Sequence, residues 1–273
     1  MDGFGGRGAR HAAASAALAL TLLLGIAGCE SCLERPAIEA VERLPYPSCG
    51  EGSLPEGEVL SEGYLRAGSV ARTPDLVERY ELRQRACLRV LSSRQSWSGG
   101  VTDVEIVYDE AYLPLRVWRR TLVPGVEGTE EIRLYELRTD PPTVTRRSRD
   151  GLEYFAFRGG RPEALVGPGR AILLPWILST PIEVGAYSRR LTLDFRRPLE
   201  KLEPVSLGRD PEREVEGLGT VQVYSVFGRE SVFIDAEGDL VGDLAGLRPD
   251  AILETPAPSF RVQVPAPDPR APL

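Results

Sequence analysis

The sequence predicts a mainly β protein: one antiparallel, curved sheet or half-barrel, with a short apolar helix or loop covering one face. Three observations predict it. Residues 79–90 alternate strictly between polar and apolar side chains, the period of a half-buried strand. Asp150-Gly151 separates two strand-like runs, and this dipeptide favours a tight type I′ hairpin because both turn positions take positive φ. Ala171-Ile172-Leu173-Leu174-Pro175-Trp176-Ile177-Leu178 is the most apolar stretch beyond residue 28, and an antiparallel sheet with one dry face needs a cover.

In chain order, Tyr80, Leu82, Gln84, Ala86, Leu88 and Val90 are expected on one face of a single strand. Arg79, Glu81, Arg83, Arg85, Cys87 and Arg89 take the other, as a solvated row. Thr73-Pro74-Asp75 offers a helix start, but helical spacing scatters the apolar residues of 79–90. Val104, Ile106 and Tyr108 form the next apolar row. Leu115 and Val117 then stand opposite Arg116, Trp118 and Arg120, with Pro114 at the strand start or on an edge. A strand at 132–137 follows, and 143–149 pairs with 152–157. After the apolar crossing, where Pro175 suits a first helical turn, strands are expected at 191–195, 221–227, 231–235 and 240–244, the last three as a meander.

The amino end carries Arg7 and Arg10 ahead of an uncharged run, 12–27, that stops at Gly28-Cys29-Glu30. This is a signal-peptide layout, and the run is short of the roughly 20 apolar residues of a membrane span. Ile26-Ala27-Gly28-Cys29 resembles the lipobox of bacterial lipoproteins, an aliphatic residue, two small residues and a cysteine. The resemblance implies that residues 1–28 are a cleaved lipoprotein signal peptide. It also implies that Cys29 takes a diacylglyceryl group on its sulfur and an acyl chain on its new amine. At about 0.8 kcal/mol per buried methylene, two or three chains make a lasting anchor, so the implied partner is the lipid bilayer. The implied address is the cell envelope, with the outer membrane facing the periplasm favoured over the inner membrane or the cell surface, because Glu30 rather than aspartate follows the cysteine.

Residues 29–55 hold Pro36, Pro45, Pro47 and Pro55 with Gly50 and Gly52 and read as a tether. Residues 56–255 are the β-rich domain, long enough for one sizeable core. Residues 256–273 carry six prolines and read as an extended tail.

Composition excludes several functions. The whole chain has a net charge of −7; losing Asp2, Arg7 and Arg10 with the signal takes acids from 40 to 39 and bases from 33 to 31, hence −8. Nucleic acid is therefore not an expected partner, since phosphate binding is driven by clustered cations. The sole histidine, His11, leaves with the signal. That removes Ser-His-Asp hydrolysis, histidine general-base chemistry and His-containing metal sites. No cofactor and no metal are expected, and the chain is not expected to be an enzyme. With Cys29 acylated, Cys32, Cys49 and Cys87 remain. An oxidising envelope favours one disulfide, expected between Cys49 and Cys87, with Cys32 to Cys49 also open. The first closes 39 residues, worth roughly 4 kcal/mol on the chain-entropy model.

The order of elements from about 100 to 245, with the apolar crossing between strands and a final meander, resembles the curved-sheet periplasmic proteins of the lipoprotein-carrier kind. No functional residue follows from that likeness. Trp118 between Arg116 and Arg120, together with Trp176, is the candidate ligand or partner surface, with core packing as the plainer role for the aromatics. Asp235, Glu237, Asp239 and Asp243 lack calcium-loop spacing because glycine comes at the fourth position, Gly238; they read as a hairpin turn. Gly167-Pro168-Gly169 reads as a loop at the apolar crossing.

The expected function is that of a membrane-anchored envelope lipoprotein with a non-catalytic binding or scaffold role, taking a partner protein or an apolar ligand beneath 171–178. The alternative is a carboxylate-based hydrolase acting on envelope glycans. It would use pairs such as Asp103 with Glu105, which share a strand face, or Asp109 with Glu110. A structural spacer, the third reading, predicts neither a pocket nor an exposed apolar patch.

Overall fold

The computed structural model describes residues 57–68, 75–123, 128–196, 201–226 and 230–249. The signal peptide, the tether, the tail, Cys29, Cys32 and Cys49 lie outside the described residues. The described residues are mainly β, with a curled half-barrel sheet and one short helix.

Eight strands run as a meander: β1 (Val59–Ala67), β2 (Val77–Arg85), β3 (Leu88–Trp97), β4 (Gly100–Tyr108), β5 (Pro114–Leu122), β6 (Glu131–Glu136), β7 (Thr143–Ser148) and β8 (Gly151–Ala156). Each pairs antiparallel with the next. Then come β9 (Ala164–Val166), a 3-10 turn (Arg170–Leu173), helix α1 (Leu174–Ser179), β10 (Tyr187–Asp194), β11 (Lys201–Val215), β12 (Gly219–Val226), β13 (Glu230–Ile234), β14 (Leu240–Asp243) and β15 (Leu247–Pro249). β15 returns to the edge of β1, making a nine-stranded sheet, while β14 to β9 form a second sheet of six. The expected single sheet is thus two. Their one parallel pair is β9 with β10, joined through the helix, because a parallel return needs a crossover.

The row at 79–90 is a hairpin and not one strand. Ala86 and Cys87 form its turn, Ala86 at φ 53°, and Arg85 pairs with Leu88. Side chains on paired positions share a face, so Leu91, opposite Leu82, joins the main core. Leu88 and Val90 turn to the other face, where Leu88 packs with Val107, Leu115 and Cys87. Leu115 also departs from expectation. A bulge lies where Val107 pairs with Arg116 and Tyr108 with Pro114, so Leu115 leaves Val117 in the core and joins the outer cluster. The β7–β8 turn is Arg149-Asp150 and not Asp150-Gly151, since Ser148 pairs with Gly151. Positive φ falls on Gly151 alone, at 120°, which rules out type I′.

The apolar crossing covers the sheet as expected. Ala171, Ile172, Leu173, Leu174 and Trp176 are each at most 3% exposed, and Pro175 stands in the first turn of α1. They share one continuous core with Leu82, Ile106, Val117 and Tyr135 of the first sheet and Leu193, Val205, Val226 and Ile234 of the second. The space between sheet and helix is therefore filled by side chains.

Candidate functional site

Strand alternation puts Glu78 on the same face as Tyr80 and Leu82, so its carboxylate enters the core, fully buried. It caps the 3-10 turn there. Glu78 Oε2 accepts the backbone N–H of Arg170, and Oε1 that of Ala171, both at 2.9 Å, satisfying donors that a helix start leaves open. Gly169 makes the approach feasible: a Cβ at that position would lie 2.8 Å from Glu78 Oε1 and 2.9 Å from Ser93 Oγ. Burial pushes the Glu78 carboxyl above the usual glutamate range, with the Arg170 charge and the two N–H bonds opposing and Asp243 adding.

Arg170 then links this group to the second sheet. Its Nε donates to Asp243 Oδ2 at 2.9 Å, and Asp243 Oδ1 accepts the Leu247 N–H at 2.9 Å. A cleft of about 280 Å³ opens beside the pair, with Leu76, Leu173 and Leu247 in its apolar wall. Its charged lining is Arg170, Arg196, Glu230 and Asp243, and each is matched: Arg196 donates to Asp194 Oδ2 at 2.9 Å and also contacts Glu230. These ion pairs leave no unengaged acid or base facing the cleft.

At the other end of the helical segment is a groove of about 630 Å³. It is bounded by Ile177, Leu178, Ile182, Tyr224 and Ile234, with Glu183, Asp235, Glu237 and Arg209 among its polar lining. Residues 235–239 make the expected turn, Asp235 Oδ1 accepting the Asp239 N–H at 2.8 Å. Asp243 belongs instead to the Arg170 pair.

The predicted surface is divided. Arg116, Trp118 and Arg120 share the outer face of β5, pairing with Val107, Glu105 and Asp103 of β4. Arg116 is only 8% exposed, Trp118 is half-buried, and Arg120 Nε bonds Glu130 Oε1 at 2.7 Å. Trp176 is not with them. At 2% exposed it lies in the core, with the Arg190 guanidinium 6.0 Å from its ring. A helical aromatic flanked by aliphatic residues on both sides packs inward.

Asp103 and Glu105 do share a face, but neither lines the cleft or the groove. Asp103 is pushed up by burial, opposed by Arg94 and Arg120; its Oδ1 lies 3.3 Å from Arg94 Nε. Asp109 Oδ1 accepts the N–H groups of Ala111 and Leu113 at 2.9 and 2.8 Å, which makes it a turn-builder. Cys87 is half-buried and engaged in an interaction. Among the described residues, no group of three or more His, Cys, Asp or Glu is placed to hold a metal. Among them, too, no helix is long and apolar enough to cross a membrane.

No protein-family model and no curated protein matches the chain. Two solved structures are similar to it. A DUF1089 family protein from Pseudomonas aeruginosa aligns with TM-score 0.33 and 12% identity, covering 73% of this chain and 96% of its own. A β-barrel-like protein of the domain of unknown function DUF1849, from Brucella abortus, aligns with TM-score 0.34 and 14% identity, covering 66% and 82%.

Proposed function

We propose that this chain is an envelope lipoprotein, moored in a bilayer through acylated Cys29, whose β-rich part binds a partner protein without catalysing a reaction. The outer membrane facing the periplasm is its proposed address. One observation carries the choice of partner over apolar ligand: Ala171, Ile172, Leu173, Leu174, Trp176 and Ile177 form one continuous core with both sheets. An acyl chain or similar ligand would have to displace that packing, and interiors packed this densely resist added volume. Binding is then left to the surface. Leu178, Val184 and Tyr187 are 39%, 52% and 73% exposed, an apolar surface that a plain spacer has no use for.

The test is made on material purified from the native host in mild detergent. Intact mass and amino-terminal peptide measurement are expected to return a chain that starts at Cys29 with acyl adducts, and native mass spectrometry after cross-linking is expected to return a stoichiometric protein partner. An unprocessed or unacylated chain overturns the anchor. A chain that is monomeric under every cross-linking condition overturns the binding role.

A further inference from the structure

We infer that the groove between the end of α1 and the β13–β14 turn is the docking site for a basic, apolar segment of the partner protein. The inference rests on the partner-binding reading above and adds the place and the chemistry. The floor is apolar and fixed: Ile182, Tyr224 and Ile234 are each at most 6% exposed. Leu178 forms an exposed wall at the helix end, and the chain leaves the rim at Glu183 into exposed Val184 and Tyr187. An anchoring pocket beside exposed aromatic and aliphatic side chains is the arrangement of an interface centre.

Charge selects the occupant. Glu183, Asp235 and Glu237 line the groove against one cation, Arg209, and that guanidinium is already 3.3 Å from Glu212 Oε1. The rim therefore presents net negative charge around an apolar floor. It repels phosphate and anionic headgroups and attracts lysine or arginine flanking an apolar anchor. A groove of about 630 Å³ takes a few side chains, so the occupant is a segment and not a whole domain face.

The experiment uses the mature lipidated chain in detergent and three fluorescent twelve-residue peptides, alternating Lys/Leu, Glu/Leu and Lys/Ser, titrated by anisotropy. The Lys/Leu peptide is expected to bind saturably, the other two at least tenfold more weakly. Leu178→Asp, and separately Glu183→Lys with Glu237→Lys, are expected to weaken it at least tenfold. Glu110→Lys, at an exposed acid in the β4–β5 turn of the other sheet, is expected to leave it unchanged. The charge variants sit on exposed positions, so they test the site even if Leu178→Asp unfolds. Equal binding of the Lys/Ser peptide, or equal loss with Glu110→Lys, overturns the site as mere acidity. Phosphatidylglycerol vesicles captured through Leu178 overturn it in favour of a membrane, and a dimer lost in Leu178→Asp overturns it in favour of a second copy. A native partner cross-linked elsewhere sinks this inference alone, whereas the absence of any partner sinks the reading beneath it.

Discussion

The Tyr80 hydroxyl meets the backbone of Leu240 as a neighbouring strand would. It accepts the Leu240 N–H at 2.9 Å and donates toward the carbonyl of the same residue at 3.4 Å. β14 is paired as a strand with β13 on one side only, and on the other edge the Tyr80 side chain of β2 engages Leu240. It reaches there past Gly63, the residue paired with it on β1, where a Cβ would stand 2.4 Å from Tyr80 Cε1. A missing side chain on one strand thus lets an aromatic ring join the two sheets.

Tyr80→Phe keeps the ring and removes the hydroxyl, leaving the buried Leu240 N–H without an acceptor. An orphaned buried group costs about 1–3 kcal/mol. Urea unfolding is expected to show that loss with an unchanged slope; a variant as stable as the parent would mean that water replaces the hydroxyl at no cost.

Glu78 predicts a pH dependence whose sign is fixed by burial. Its carboxyl is raised above the ordinary 4.5 in the folded protein, so the folded state binds the proton more tightly than the unfolded chain. The stabilising contribution is then full below 4.5 and is lost as pH rises through the raised value. Glu78→Gln cannot titrate, although it sets an amide N–H against one of the two backbone donors, a constant offset. Unfolding free energies measured in steps from pH 4.5 to 8 should show the parent losing stability relative to Glu78→Gln as pH rises. A constant difference would remove burial as the governing effect.

Most strands, the final meander and the covering crossing were legible because period-two alternation and one apolar run carry them, whereas β1, β9 and β15 were not expected. The hairpin at Ala86-Cys87 was not legible, since neither residue is a turn former, yet Ala86 takes the positive φ that glycine or asparagine usually supplies. β11 was hidden by Pro204 and Pro211, which argue against a central strand. The pairing shows why they are tolerated: β12 runs beside β11 only from Leu207 onward, and Pro211 sits in the register shift between Asp210 and Arg213. Of the site, Glu78 carried a usable signal, its parity with Tyr80 and Leu82. Arg170, whose N–H it accepts, and Asp243, which pairs with Arg170, lie 92 and 165 positions away from it in sequence, and no local pattern links residues that meet only after folding.

Gly167 gives a steric prediction. Its φ is not positive, so alanine is not strained there, but a Cβ would lie 2.3 Å from Ile172 Cδ1 and 2.5 Å from Phe195 Cζ. Both neighbours are at most 1% exposed, and overpacking of this kind costs about 1–3 kcal/mol. Ile172→Val deletes the nearer atom, so the double variant is expected to recover part of the Gly167→Ala loss in a double-mutant cycle. Strict additivity would mean that Phe195 alone sets the penalty.

The bridge proposed between Cys49 and Cys87 can be weighed against its rival by stability as well as by connectivity. Cys87 sits in the β2–β3 turn, half-buried against Leu88, Val107 and Leu115, so a bond from it would tie the chain ahead of β1 to the outer face of the first sheet. Closing 39 residues stabilises by roughly 4 kcal/mol through the unfolded state, a large share of the stability of an ordinary domain. A bridge from Cys32 to Cys49 closes a shorter loop entirely ahead of β1 and leaves the sheet untouched. Cys87→Ser is therefore expected to lower the urea midpoint by an amount matching reduction of the parent, and non-reducing peptide mapping is expected to join the Cys49 and Cys87 peptides. If mapping instead joins Cys32 to Cys49, and Cys87→Ser unfolds like the parent, the long bridge is excluded.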